Sequence, residues 1–270
     1  MGATKGQYAA VNGLQLYYEI HGVGAPLVLV HGGLGTIDAM WGELLLSLAQ
    51  NRQVIAVELQ AHGHTGDSDR PLRYEFMADD LAALLQQLDL AQADVLGYSL
   101  GGGVALQFAI RHPALVHKLV AISTPYKRDG WFPEVLAGMA ALNATTAKAM
   151  EGNPIHQAYV SVAPKPENWA NLLTKVGELL QQDYDWSAAM AQLTAPTLII
   201  VGDGDSIRPA HALEMFGLLG GGKTDGAMSG LSHSRLAVLP ATTHFTVVTQ
   251  PALLLPLIEP FLDAPLPTAS

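Results

Sequence analysis

The chain predicts an α/β fold: a mostly parallel central sheet flanked by helices, with a helical insertion. Three observations carry this. Continuous apolar runs such as "PLVLV" (26–30) and "PTLIIV" (196–201) suit strands buried on both faces of a parallel sheet. Helical patterns alternate with those runs, which implies right-handed crossovers and a ligand site beyond the strand C-termini. The alternation breaks over residues 126–193 and then resumes.

Taken in order, "QYAAVNGLQLYYEIHG" reads as two short strands joined at Asn12-Gly13, a strong hairpin signal. "PLVLVHGG" follows as a buried strand ending in glycines. A helical stretch over 38–50 precedes the strand "QVIAVEL", and another over 75–88 precedes "ADVLGYS". A third, over 101–111, precedes "HKLVAIST". Residues 126–193 are helical, with Trp131, Phe132, Trp169 and Trp186 spread through them, so a lid between two halves of one sheet is expected. "APTLIIVGD" and "SRLAVLP" are the last strands, separated by a Gly/Ser-rich loop, and a closing helix spans 251–263.

Composition narrows the function classes. Hydrophobic residues make up 49% of the 270 and charged ones 14%, which describes a well-buried globular chain. The net charge of −10 and the lack of a basic cluster argue against nucleic acid and anionic membranes as partners. There are no cysteines, which excludes disulfides, thiolate metal sites and a cysteine nucleophile. The N-terminus lacks a signal-peptide apolar stretch, Gly6 spoils a myristoylation motif, and no apolar run is long enough to span a bilayer. A cytoplasmic protein without cofactor or metal is expected.

The chemistry centres on "LGYSLGGG". Gly97-x-Ser99-x-Gly101 lies directly after a strand and before a helix, so Ser99 would stand out on a sharp turn. The helix N-terminus behind it favours developing negative charge. Serine needs a base. His244, in "ATTHF" after the last strand, can fold back over the same edge, whereas His233 belongs to the loop before that strand. His31 reads as a brace for its own turn. His112, His117, His156 and His211 read as surface residues. His62 and His64 approach an H-x-H-x-D-H metal run, but Asp67 falls one position late and no histidine follows it. A carboxylate must orient the base, and Asp203 and Asp205 both follow the preceding strand, giving the chain order Ser, Asp, His.

With these residues the sequence resembles the α/β-hydrolase superfamily over nearly its whole length. "HGGLGTIDAMW" is similar to the family's H-G-x-G loop, "GYSLGG" to its nucleophile elbow, "GDGDSIRP" to its acid loop and "ATTHF" to its histidine loop. The resemblance implies Ser99 as nucleophile, His244 as base and Asp205 as acid, leaving Asp203 as a turn residue bonded to local backbone. It implies an oxyanion hole from the N–H groups of Leu100 and Gly33, with Leu34 as the substitute for Gly33. Residues 1–125 and 194–270 would form the core and 126–193 a cap whose aromatics are pocket candidates, although core packing is the commoner role for each. Gln60 and Ala61 depart from the family's usual residues in a segment expected to shape the cavity entrance.

The serine disfavours the aspartate-dependent dehalogenases and epoxide hydrolases of this fold. The expected activity is hydrolysis of small to medium uncharged carboxylic esters through an acyl-enzyme. Lactonase, enol-lactonase or carbon–carbon bond hydrolase chemistry would use the same residues. A cofactor-free haloperoxidase or perhydrolase is a further alternative, weakened by Leu100 where such relatives often carry methionine. A non-catalytic ligand receptor is the alternative from a different class.

Overall fold

A computed structural model describes residues 6–266. β1 (Gln7–Val11) and β2 (Leu14–His21) form the expected hairpin, with Asn12 and Gly13 both at positive φ (46° and 83°), as a tight turn of that hand requires. β3 (Ala25–Val30), α1 (Ile37–Leu48), β4 (Arg52–Val57), α2 (Tyr74–Gln87), β5 (Ala93–Tyr98), α3 (Leu100–Arg111) and β6 (Val116–Ile122) then alternate. Five helices follow: α4 (Pro133–Ala140), α5 (Ala144–Ala149), α6 (Pro154–Val160), α7 (Trp169–Gln181) and α8 (Ser187–Met190). The chain re-enters the sheet with β7 (Thr197–Gly204), α9 (Pro209–Leu218), α10 (Gly226–Ser229) and β8 (Arg235–Thr243), and closes on α11 (Pro251–Asp263).

The eight strands lie in the order β1-β2-β4-β3-β5-β6-β7-β8. Only β1–β2 and β2–β4 pair antiparallel; every other pair is parallel. The central strands bury both faces, which is why they read as unbroken apolar runs. Val28, Val30, Val95, Ala121 and Ile199 face α2 and α3, while Leu27, Leu29, Leu96, Val120 and Ile200 face α1 and α11.

β8 runs past Pro240 to Thr243. It lies at the sheet edge, where a missing N–H costs no ladder bond. No helix among the described residues is long and apolar enough to cross a membrane.

Candidate active site

The turn between β5 and α3 places Ser99 at φ 53° and ψ −119°, a conformation that costs a non-glycine residue on the order of 1–3 kcal/mol. The surroundings enforce it. The Ser99 N–H donates to the Ile122 carbonyl (2.9 Å), and its own carbonyl accepts from the Gly103 N–H (3.1 Å). A Cβ on Gly97 would lie 2.3 Å from the Gly101 carbonyl oxygen, and one on Gly101 would lie 2.2 Å from that of Val30. Glycine is therefore required on both sides of the serine by close backbone approach.

The Ser99 Oγ lies 2.9 Å from His244 Nε2, and His244 Nδ1 lies 2.9 Å from Asp205 Oδ1. Because a carboxylate only accepts, Nδ1 carries the proton and Nε2 is left to accept the serine hydroxyl. Asp205 is buried and receives three further donors. These are the Ile207 N–H on Oδ1 (3.2 Å), the Gly202 N–H on Oδ2 (3.0 Å) and the Ser123 hydroxyl on Oδ2. Burial pushes its carboxyl upward, but the hydrogen bond and charge of His244, with the Ser123 and Gly202 donors, outweigh that and hold it below the usual range. Asp205 is ionised and directed at the imidazole.

Two partners were not foreseen from the sequence. Ser123 directly follows β6, in the left-handed region (φ 49°) and fully buried, with its N–H on the Ile200 carbonyl (2.8 Å). Its place at the C-terminal edge of a strand beside β7 was the available signal. Tyr98 precedes the nucleophile, and its hydroxyl donates to the His244 carbonyl (2.7 Å), tying the histidine loop to β5. The Trp131 ring meets the imidazole edge-on at 5.4 Å.

Asp203 departs from its expected local role. It is exposed, and its Oδ1 accepts from the Thr242 N–H of β8 (3.3 Å), because the sheet brings those two strand ends together. His31 Nε2 accepts from the Leu59 N–H (3.1 Å) and its Nδ1–H donates to the Gly32 carbonyl (2.7 Å); burial, with His62 adding to it, lowers its pKa to about 3.

His62 and His64 diverge. The former is buried against the Gln60 carbonyl, while the latter pairs with Glu58 and stacks on Tyr17. His233 is exposed in the loop before β8. His112, at the C-terminus of α3, and His156, within α6, are half-buried; His117 is half-buried as well but lies in β6, its Nδ1 2.7 Å from Asp94 Oδ1. His211 corrects its surface reading. It is completely buried, stacked on Tyr126 at 4.3 Å, with Nε2 accepting the Tyr126 N–H, because the inserted chain folds over α9. Burial, then the nearby Arg208, lowers its pKa to about 4.

A cavity of about 420 Å³ opens above Ser99. Gly33, Leu34 and Leu100 line it beside the serine, and its far walls come from α4 and α7. Leu100 begins α3, so its N–H has no intrahelical acceptor. Among the described residues no Asp, Glu, Lys or Arg lines the cavity, and its polar side chains are Ser99, Ser206, His244 and the indole of Trp131. Of the insertion's aromatics named above, Trp131 lines it. Trp169 instead packs on Tyr159 and donates to the Ala147 carbonyl, and Trp186 stacks on Tyr184.

Gln60 and Ala61 do not line this cavity, contrary to expectation. Gln60 is buried and bonded to Asp67 and Arg70, which turns its segment toward α7.

The chain belongs to the alpha/beta hydrolase fold family, which matches residues 25–251. It is 26% identical to an uncharacterized protein of Mycobacterium tuberculosis over 95% of this chain and 81% of that one. A putative carbamate hydrolase, RutD, of Caulobacter vibrioides is 38% identical over a shorter stretch, 43% of this chain and 42% of the relative. Among solved structures, the carboxylesterase CesB of Bacillus subtilis superposes with a TM-score of 0.74 at 18% identity, covering 97% of this chain and 93% of that one, a likeness of fold.

Proposed function

We propose that this hydrolase is a serine carboxylesterase acting on small to medium uncharged esters. The observation that carries the reading is the unbroken hydrogen-bond chain from Ser99 through His244 to Asp205, opening into a cavity that no Asp, Glu, Lys or Arg among the described residues lines.

His244 Nε2 takes the Ser99 proton as Oγ attacks the ester carbonyl carbon. The N–H groups of Leu100 and Gly33 hold the oxyanion. The C–O bond to the alcohol then breaks as His244 returns the proton to the leaving oxygen, which leaves an acyl-serine. Water enters and gives a proton to His244 as its oxygen attacks the acyl carbon; the bond to Ser99 Oγ then breaks as His244 returns that proton to the serine oxygen, releasing the carboxylic acid. Asp205 keeps the imidazole in the required tautomer and stabilises the imidazolium. Residues 126–193 act as the cap over this chemistry. Carbon–carbon cleavage of a carboxylate-bearing substrate is less well supported, because no Lys or Arg among the described residues lines the cavity.

Short p-nitrophenyl esters test the reading. Turnover is expected in the wild-type protein, with Ser99→Ala lowering kcat by about 10⁴-fold or more. A fluorophosphonate should label the wild type and spare that variant. Absence of wild-type turnover across esters and lactones, or full activity in Ser99→Ala, overturns it.

A further inference from the structure

α4 offers an unusual face. Val135, Gly138, Met139 and, one turn on, Leu142 recur at i, i+3, i+4 and i+7, and all four line the cavity that holds Ser99. No residue of α4 is buried, so Val135, Gly138 and Met139 do not owe their place to packing into a core, whereas Leu142 beyond the helix does pack against it. Across the gap stand Val176 and Leu180 of α7, against which α4 packs.

Gly138 sits inside that stripe for no local reason. Its φ is not positive, so the backbone there does not demand glycine. A Cβ built on it meets nothing within 4 Å, so crowding does not demand it either. Within a helix glycine is less favourable than alanine. What its missing side chain leaves is space on the cavity side of the helix.

The direction of the substrate follows from the proton path. The leaving alcohol must receive its proton from His244, so it departs on the side of that imidazole, where exposed Phe245 and half-buried Ser206 line the mouth. The acyl group then extends the other way, past Gly33. A Cβ on Gly33 would lie 3.4 Å from Leu100 Cδ1 and 3.7 Å from Val176 Cγ1, which marks that side as the α7 wall.

We propose that Gly138 is a specificity-determining residue, its bare position on the α4 stripe admitting a straight, medium-length apolar acyl chain between α4 and α7. The inference rests on the ester-hydrolase reading given above. A larger side chain at 138 shortens the channel and leaves the reacting groups untouched.

The test compares p-nitrophenyl acetate with p-nitrophenyl octanoate, which share a leaving group and differ only in the acyl chain, on wild type, Gly138→Ala and Gly138→Leu. Gly138→Leu should lose about tenfold or more in kcat/KM on octanoate. Its acetate value should stay within about twofold of wild type. Gly138→Ala should fall between the two on octanoate and melt no lower than wild type, since it improves the helix. Parallel loss on both esters, or unchanged octanoate turnover in Gly138→Leu, overturns the proposal.

If wild type hydrolyses neither of these esters nor any of the wider esters and lactones, the esterase reading fails by itself. Where neither of the two esters is hydrolysed, the acyl channel is judged by thermal shift with 2-decanone against 2-butanone, uncharged ketones of the same outline. Stabilisation of wild type by 2-decanone that Gly138→Leu abolishes supports the channel. Equal shifts in both proteins, or none in either, overturn it.

Discussion

At the sheet edge, Ser99, Asp205 and His244 are held from several directions at once. Backbone bonds and crowding glycines lock the serine in its strained turn, four donors converge on the aspartate, and the Tyr98 hydroxyl pins the carbonyl of the histidine. α4, on the other side of the cavity, has no buried residue, and its apolar stripe lines that cavity. The proposed chemistry therefore stands on residues held by many bonds and close contacts, and the proposed selectivity on a helix without a buried residue. Changes at the edge should act on kcat, and changes in the inserted helices on which substrate is accepted.

The comparison breaks most sharply at the two aspartates. Asp205→Asn should lower kcat by about 10⁴-fold, because the amide can present an N–H to His244 and reverse its tautomer. Asp203→Asn keeps an oxygen for the Thr242 N–H at an exposed site, so its effect on stability should stay within about 0.5 kcal/mol. Steady-state kinetics on the pair checks this. Equal losses would mean that the edge is not organised around Asp205.

Ser123 tests whether the edge depends on depth as well as on its three named residues. Ser123→Ala removes one of the donors that hold the Asp205 carboxyl below its usual range, so that carboxyl should rise. A depressed carboxylate stabilises the native state above its ordinary pKa of 3.8, and that stability disappears as pH falls through the lower native value. Ser123→Ala should therefore begin acid unfolding at higher pH than wild type, and its kcat near neutrality should fall by about tenfold. An unchanged acid-unfolding curve would remove Ser123 from the support of Asp205.

What could be read from the sequence divides along the same line. The elbow was legible because its demands are local: a strand, two glycines and a helix within a few residues. Asp205 and His244 were legible as strand-end positions, since a parallel sheet gathers such ends at one edge. Ser123 and Tyr98 lie at comparable strand ends, but their partners are 82 and 146 residues away and nothing near them in the chain announces the pairing. His211 read as a surface residue because helix position alone does not reveal that the inserted chain covers it. The aromatics of the insertion drew attention by type, yet apart from Trp131 the walls of α4 and α7 that line the cavity are aliphatic.

The smallest effect concerns what holds α7 in place, and it asks whether the inserted helices are loose throughout or only along α4. Lys175, one residue before Val176, sends its ammonium into the segment after β4, donating to Asp67, to the Ser68 carbonyl (2.6 Å) and to the Arg70 carbonyl (3.0 Å). Asn171, one turn earlier, also donates to Asp67 (2.6 Å). Asp67 lies below the usual carboxylate range: burial pushes it up, but donors from Gln60 and Lys175 outweigh that. Lys175→Met keeps the length of the stem and removes the charge. Asp67 retains Gln60 and Asn171, so the cost should be about 1–2 kcal/mol, a fall of a few degrees in Tm. If α7 is the fixed wall and α4 the pliant one, that loss should appear with kcat on p-nitrophenyl acetate nearly unchanged and KM for the octanoate ester raised. A melting curve identical to wild type would show that α7 does not hang on this lysine, and the contrast between the two cavity walls would have to be given up.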